Sequence, residues 1–201
     1  MNIAVYSGSF NPLHIGHLAI IRHMIEVAGF DMVYLIVSPK NPLKDGISSD
    51  SGRERYKAAV EAVERRFLRS GLSAFGRNDS KAVEARVKVD DIELNMPEPH
   101  YTIRTLDALK EREPGNRFTL VMGADNLADI RRWRDYTRIL TGYGVAVFPR
   151  EGHDLTEIKQ DLLKEDPSYK IQILDAEMVD ISSTQIREAI SRGEDISHCL
   201  M

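Results

Sequence analysis

Ile3-Ala4-Val5-Tyr6-Ser7-Gly8-Ser9-Phe10-Asn11-Pro12-Leu13-His14-Ile15-Gly16-His17 decides how the rest of the chain is read. Its first four residues are an apolar run with the composition of a buried strand. Gly8-Ser9 marks a turn, and Leu18-Ala19-Ile20-Ile21 carries on a helix expected from Leu13 to about Ala28, with Gly29 as its stop. Strand, glycine turn and helix aim main-chain N–H groups and a helix N-terminus at one spot, which suits a bound phosphate. His14 and His17, three apart, share one helix face at the mouth of the turn. Gly16 between them lets a ligand approach the backbone closely. Backbone donors, helix dipole and two imidazoles together describe a polyphosphate site. A cation shared by the two histidines is the alternative, but no acidic or thiol ligand follows at matching spacing. Ordinary packing of a histidine pair is the plainest reading.

Met32-Val33-Tyr34-Leu35-Ile36-Val37 is a second short apolar run rich in β-branched residues, so the opening is a βαβ unit with parallel strands and a right-handed crossover. Further strands are expected at Val87–Leu94, Arg117–Met122, Tyr143–Arg150 and Lys170–Leu174. Helices are expected from Ser51-Gly52-Arg53-Glu54, a capping-box pattern, from Thr102 as N-cap through Arg112, from Asp154 to Lys164, and after Ser182. This alternation predicts a single α/β domain over residues 1–201, a doubly wound Rossmann-like parallel sheet with helices on both faces. Residues 70–84 lack periodicity and read as a loop insertion, and 193–201 as a C-terminal tail.

In such sheets ligands sit at the carboxyl ends of the strands. Two later segments fall there, and two more carry chemistry of their own. Ser38-Pro39-Lys40-Asn41-Pro42-Leu43-Lys44 follows the second strand, and its lysines either neutralise a phosphate or are ordinary solvated side chains. Gly123-Ala124-Asp125 follows the Arg117–Met122 strand. There Asp125 can accept from ribose hydroxyls, or simply cap a helix. Trp133, the only tryptophan, sits among Arg131, Arg132, Arg134 and Asp135 with no place on a core stripe, and its face can stack on a heteroaromatic ring. Ser182-Ser183-Thr184-Gln185-Ile186-Arg187 gathers hydroxyls and free N–H groups at a helix start with a guanidinium one turn in. That is a second anion site, or a plain serine-capped helix.

A length of 201 residues with net charge −4 offers no basic surface for nucleic acid. The one cysteine, Cys199, allows no intrachain disulfide, so a cytoplasmic compartment is expected. The first residues enter a strand without a leader pattern, and no apolar run reaches the roughly 18–20 residues that span a bilayer. Nothing in the sequence speaks to oligomeric state.

The first stretch resembles the Gly-Ser/Thr-Phe-x-Pro-x-His-x-Gly-His signature of the nucleotidyltransferase superfamily, and Ile181-Ser182-Ser183-Thr184-Gln185-Ile186-Arg187 resembles its Ile-Ser-Ser-Thr-x-x-Arg signature. Gly-Ala-Asp followed by Trp-Arg-x-Tyr, together with Glu93-Leu94 and Tyr101-Thr102 before Thr105-Leu106, is similar to bacterial nicotinate-nucleotide adenylyltransferases. The resemblance implies transfer of AMP from ATP to nicotinate mononucleotide with Mg²⁺ bound alongside ATP. It implies His14, His17 and Arg187 as catalytic groups. ATP would be held by Gly8, Ser9, Phe10, His14, His17, Gly123, Asp125, Ile181, Ser183, Thr184 and Arg187. The mononucleotide would be held by Lys44, Tyr101, Thr102 and Trp133, with no dedicated protein metal site. Leu43 and His100 depart from the family's histidine and serine. Other readings are a nicotinamide-mononucleotide or pantetheine-phosphate adenylyltransferase, and a non-catalytic nucleotide-binding regulator. A class I tRNA synthetase shares the histidine pattern but is longer and carries a Lys-Met-Ser-Lys-Ser loop.

Overall fold

The computed structural model describes residues 1–39, 52–68, 86–176 and 182–201. Six parallel strands form one sheet in the order β3-β2-β1-β4-β5-β6. They are β1 (Asn2–Gly8), β2 (Met32–Val37), β3 (Val87–Asp90), β4 (Arg117–Gly123), β5 (Val145–Phe148) and β6 (Ile171–Ile173). The order runs outward from β1 in both directions, so the sheet changes winding direction between β1 and β4. Such a switch leaves a crevice at the carboxyl ends of the strands.

Alternation along each strand sends neighbours to opposite faces. Ile3 and Val5 of β1, Tyr34 and Ile36 of β2, and Leu120 and Met122 of β4 pack on one face. They meet Ile103, Leu106 and Leu109 of helix α3 (Thr102–Arg112) and Leu155 and Leu162 of α5 (Leu155–Glu165), together with Leu127 of the short α4 (Ala124–Ala128). Ala4, Tyr6, Val33, Leu35, Val121 and Phe148 turn to the other face. There Leu18, Ile21, Met24 and Ile25 of α1 (Ile15–Glu26) and Ala59 of α2 (Gly52–Leu68) cover them. The sheet is therefore doubly wound, as its periodicity predicts. Ile21 and Met24 are fully enclosed, and truncating either to Ala costs about 2–5 kcal/mol. A last helix, α6 (Ser183–Ser191), follows β6.

Most element boundaries fall within a residue or two of the sequence reading, and four of the differences have local reasons. β3 stops at Asp90 because the buried Asp90 carboxylate takes a bidentate pair from Arg112 and accepts the main-chain N–H of Ile92, turning the chain into a 3₁₀ turn over Ile92–Asn95. β5 stops at Phe148, since Pro149 has no N–H to give a ladder. Thr102 is the first residue of α3 rather than its cap; Tyr101 holds the cap position with no side-chain bond. α1 ends at Glu26, two residues early, and Gly29 turns the chain at φ 75°. The helix start at Ser51 and the loop insertion at 70–84 lie outside the described residues.

Candidate active site

The register sets Gly8 beside Val37 and Gly123 beside Phe148, so four strand ends meet on one edge. From Gly8 the chain turns through Phe10, whose φ of 44° is rare for a residue with a side chain. The Phe10 ring folds back under Gly8, where an added Cβ would come within 3.2 Å of it. Buried Arg55 of α2 braces this turn, donating to the carbonyls of Ser9 and Ser38 at 2.8 Å each and to that of Pro39 at 2.8 Å. One guanidinium thus ties the exits of β1 and β2 together.

His14 occupies the N-cap position of α1, and His17 the third helical position. Their ring centroids are 3.8 Å apart. The main-chain N–H of His14 donates to His17 Nδ1 at 3.2 Å. An accepting Nδ1 carries no proton, so the neutral ring keeps its proton on Nε2, free to donate elsewhere. His14 is buried, and its Nδ1 has no partner. Burial and the nearby Arg150 cation lower the His14 pKa to about 4. Burial, His14 and Arg150 push His17 well below the usual imidazole value. Both rings are therefore neutral at pH 7 while the crevice holds no anion.

The serine turn arrives at the same place. Ser182 and Gln185 form the expected capping box, with Ser182 N–H donating to Gln185 Oε1 at 2.7 Å and Gln185 N–H to Ser182 Oγ at 3.2 Å. Ser183 Oγ donates to the Pro12 carbonyl at 3.2 Å. Arg187 donates to the Asn11 carbonyl at 2.8 Å and to Thr184 Oγ1 at 3.1 Å. Two helix N-termini, α1 and α6, consequently flank one pocket with their dipoles and free N–H groups. The tail is not idle: Leu200 makes an antiparallel bridge with His14, behind a 3₁₀ turn over Ser197–Cys199.

Gly123 is the N-cap of α4, so the exposed Asp125 lies inside that helix and does not cap it. A Cβ at Gly123 would fall 2.4 Å from Asp125 Oδ1, so glycine is needed for the carboxylate to lie over the strand end. Tyr101 and Thr102 begin α3 on the face opposite α1. They reach the crevice edge indirectly: Glu93, buried, accepts from Thr105 Oγ1 at 2.8 Å and from Ser38 Oγ at 2.6 Å. Trp133 has no place on a core stripe in the sequence, and the fold gives it one. It is half-buried and packs on the core of that same face, with its Nε1 buried and unpartnered. Tyr101, Thr102 and Trp133 share no hydrogen bond with the histidine or serine turns. Lys40, Leu43, Lys44 and Ile181 lie outside the described residues. Sequence reasoning gave no role to Arg55 or Arg150 and quoted Glu93 only within the family resemblance; Arg150 had a usable signal, its place just past a parallel strand.

Residues 5–189 match the cytidylyltransferase-like family. A protein of Flavobacterium johnsoniae named "Probable nicotinate-nucleotide adenylyltransferase" is 36% identical over 200 residues, covering 100% of this chain and 92% of its own. The Bacteroides fragilis protein of the same name is 34% identical over 196 residues, 98% of this chain and 85% of its own. Among solved structures, Plasmodium falciparum nicotinic acid mononucleotide adenylyltransferase complexed with NaAD superposes with a TM-score of 0.72 at 20% identity, covering 98% of this chain and 87% of that one. That last likeness is one of fold. With full-length relatives above a third identical and an α/β sheet of the same architecture, this chain belongs to the nicotinate-nucleotide adenylyltransferase family.

Proposed function

We propose that the crevice transfers the adenylyl group of ATP to nicotinate mononucleotide, giving nicotinate adenine dinucleotide and pyrophosphate. A phosphate oxygen of the mononucleotide, already anionic at pH 7, attacks the α-phosphorus as the bond to the β-phosphate oxygen breaks. No general base is needed, so catalysis is positioning plus stabilisation of negative charge. His17 Nε2–H and His14 donate to phosphate oxygens. Ser183, Thr184, Arg187 and the N–H groups opening α6 hold the β- and γ-phosphates. Gly8, Ser9 and Phe10 shape the turn, and Gly123 and Asp125 take the ribose. Tyr101, Thr102, Trp133 and Lys44 take the mononucleotide, the nicotinate carboxylate meeting the N-terminus of α3.

The chemistry of the donor set suits a divalent cation that arrives on the nucleotide. Among the described residues no three acidic, histidine or cysteine side chains gather into a cage. Mg²⁺ keeps several waters and binds phosphate oxygens readily. It would neutralise phosphate charge there. A cytoplasmic location belongs to this reading; among the described residues no helix is long and apolar enough to cross a membrane.

The observation that carries the proposal is the pair of bonds from Ser183 to Pro12 and from Arg187 to Asn11, which join the two phosphate turns into one pocket. The test is pyrophosphate release from ATP with nicotinate or nicotinamide mononucleotide, in wild type and His17→Ala. Release with the acid form, lost in the variant, is expected. A well-folded wild type that releases none with either would refute it.

A further inference from the structure

Arg150 leaves β5 beside the crevice and serves no structural pair. Its guanidinium carbon stands 5.1 Å from the Phe148 ring centroid. That ring lies edge-on to Tyr6 at 6.0 Å, and Tyr6 lies 6.0 Å from His17 at a tilt, so one cation–ring contact and two ring–ring contacts lead from the guanidinium to the histidine turn. On its other side the Arg150 stem packs against the exit of β4, with Cγ 3.3 Å from where a Gly123 Cβ would be. The side chain therefore stands between the proposed ribose edge at Gly123 and Asp125 and the proposed phosphate donors His14 and His17.

Three arginines elsewhere on the sheet's flanks are held in ion pairs. Arg112 binds Asp90, Arg131 binds Asp161 and Glu165, and Arg138 binds Asp107. Among the described residues the Arg150 guanidinium makes no hydrogen bond and has no carboxylate within ion-pair distance; only the Arg150 carbonyl is engaged, by the N–H of His153. Its field is felt instead by His14, His17 and Tyr6. A forked cation whose field reaches two imidazoles, with its flank on an aromatic ring and its side-chain donors uncommitted, is set up to receive an oxyanion.

We propose that Arg150 is a further catalytic residue that grips the phosphate adjoining the ribose of ATP, across the crevice from Arg187. The attacked phosphorus is then contacted from the β1 side by imidazoles and from the β5 side by a guanidinium. As charge builds on that phosphoryl group in the transition state, the fork stabilises it without reorganising. The inference rests on the adenylyl-transfer reading above, and a binding experiment separates the two.

Arg150→Gln and Arg150→Lys are compared with wild type. The position is exposed, so both variants fold, checked by unchanged thermal midpoints. In Arg150→Gln, kcat/KM for ATP is expected to fall about 100-fold, while KM for nicotinate mononucleotide stays within about twofold. Without turnover, AMP should bind about tenfold more weakly to Arg150→Gln, adenosine equally to both, and Arg150→Lys should recover part of the loss. Equal AMP affinity in wild type and Arg150→Gln overturns the inference and leaves adenylyl transfer standing. Equal weakening of AMP and adenosine overturns it in favour of a contact to the base.

Discussion

Acid should loosen this protein through His14, and the size of the effect follows from its surroundings. In the fold its pKa lies at about 4, against an ordinary 6.5 in the unfolded chain. Between these values the unfolded state binds a proton that the native state refuses, so stability falls as pH drops. Between pH 8 and pH 5 the loss amounts to about 2 kcal/mol for this one ring, and it levels off below the folded value. His17, shifted the same way, adds to it. The buried Asp90 carboxylate is held down by Arg112 and Lys88, so its own contribution is lost only at lower pH. Urea denaturation of wild type and His14→Gln at both pH values isolates the term: the variant should lose about 2 kcal/mol less on acidification. Losses equal to within about 0.5 kcal/mol would refute a neutral, desolvated imidazole at this turn. The same logic makes ATP binding take up protons, because a polyphosphate cancels the Arg150 field and lifts both imidazole pKa values. Calorimetry in buffers of different ionisation enthalpy reads that uptake directly.

Arg187→Ala removes the donors to Asn11 and Thr184 but little packing; kcat/KM for ATP should fall about 100-fold with the thermal midpoint nearly unchanged, measured by steady-state kinetics and calorimetry. Gly123→Ala places a methyl 2.4 Å from Asp125 Oδ1, so that carboxylate must move; KM for ATP should rise about tenfold while KM for the mononucleotide holds. Glu93→Ala strands the hydroxyls of Ser38 and Thr105 and should cost about 2–3 kcal/mol in urea denaturation.

The sheet was legible because its strands are short, β-branched and punctuated by glycine or proline, and alternation with amphipathic helices leaves few other topologies. The histidine and serine turns were legible because each concentrates unusual residue types at a helix start. What the sequence concealed depends on distance in space. Ile92 and Leu94 look like a strand until the Asp90–Arg112 pair turns the chain away from it. Trp133 has polar neighbours in sequence but apolar ones in the fold. Arg55 holds three carbonyls from two separate loops, and an acceptor made of backbone leaves no trace in residue identity. Leu200 closes on His14 through main-chain atoms and is equally silent.

The bonds that assemble the proposed phosphate pocket join residues 171 and 176 positions apart. Closing so long a loop is entropically costly and comes late when a chain condenses. The pocket is thus also the clasp between the opening and closing segments of the polypeptide. On the proposed reading, catalytic competence is a property of the finished topology: the triphosphate cradle exists only once both segments have met, and nucleotide bridging them would tighten the whole molecule rather than one loop.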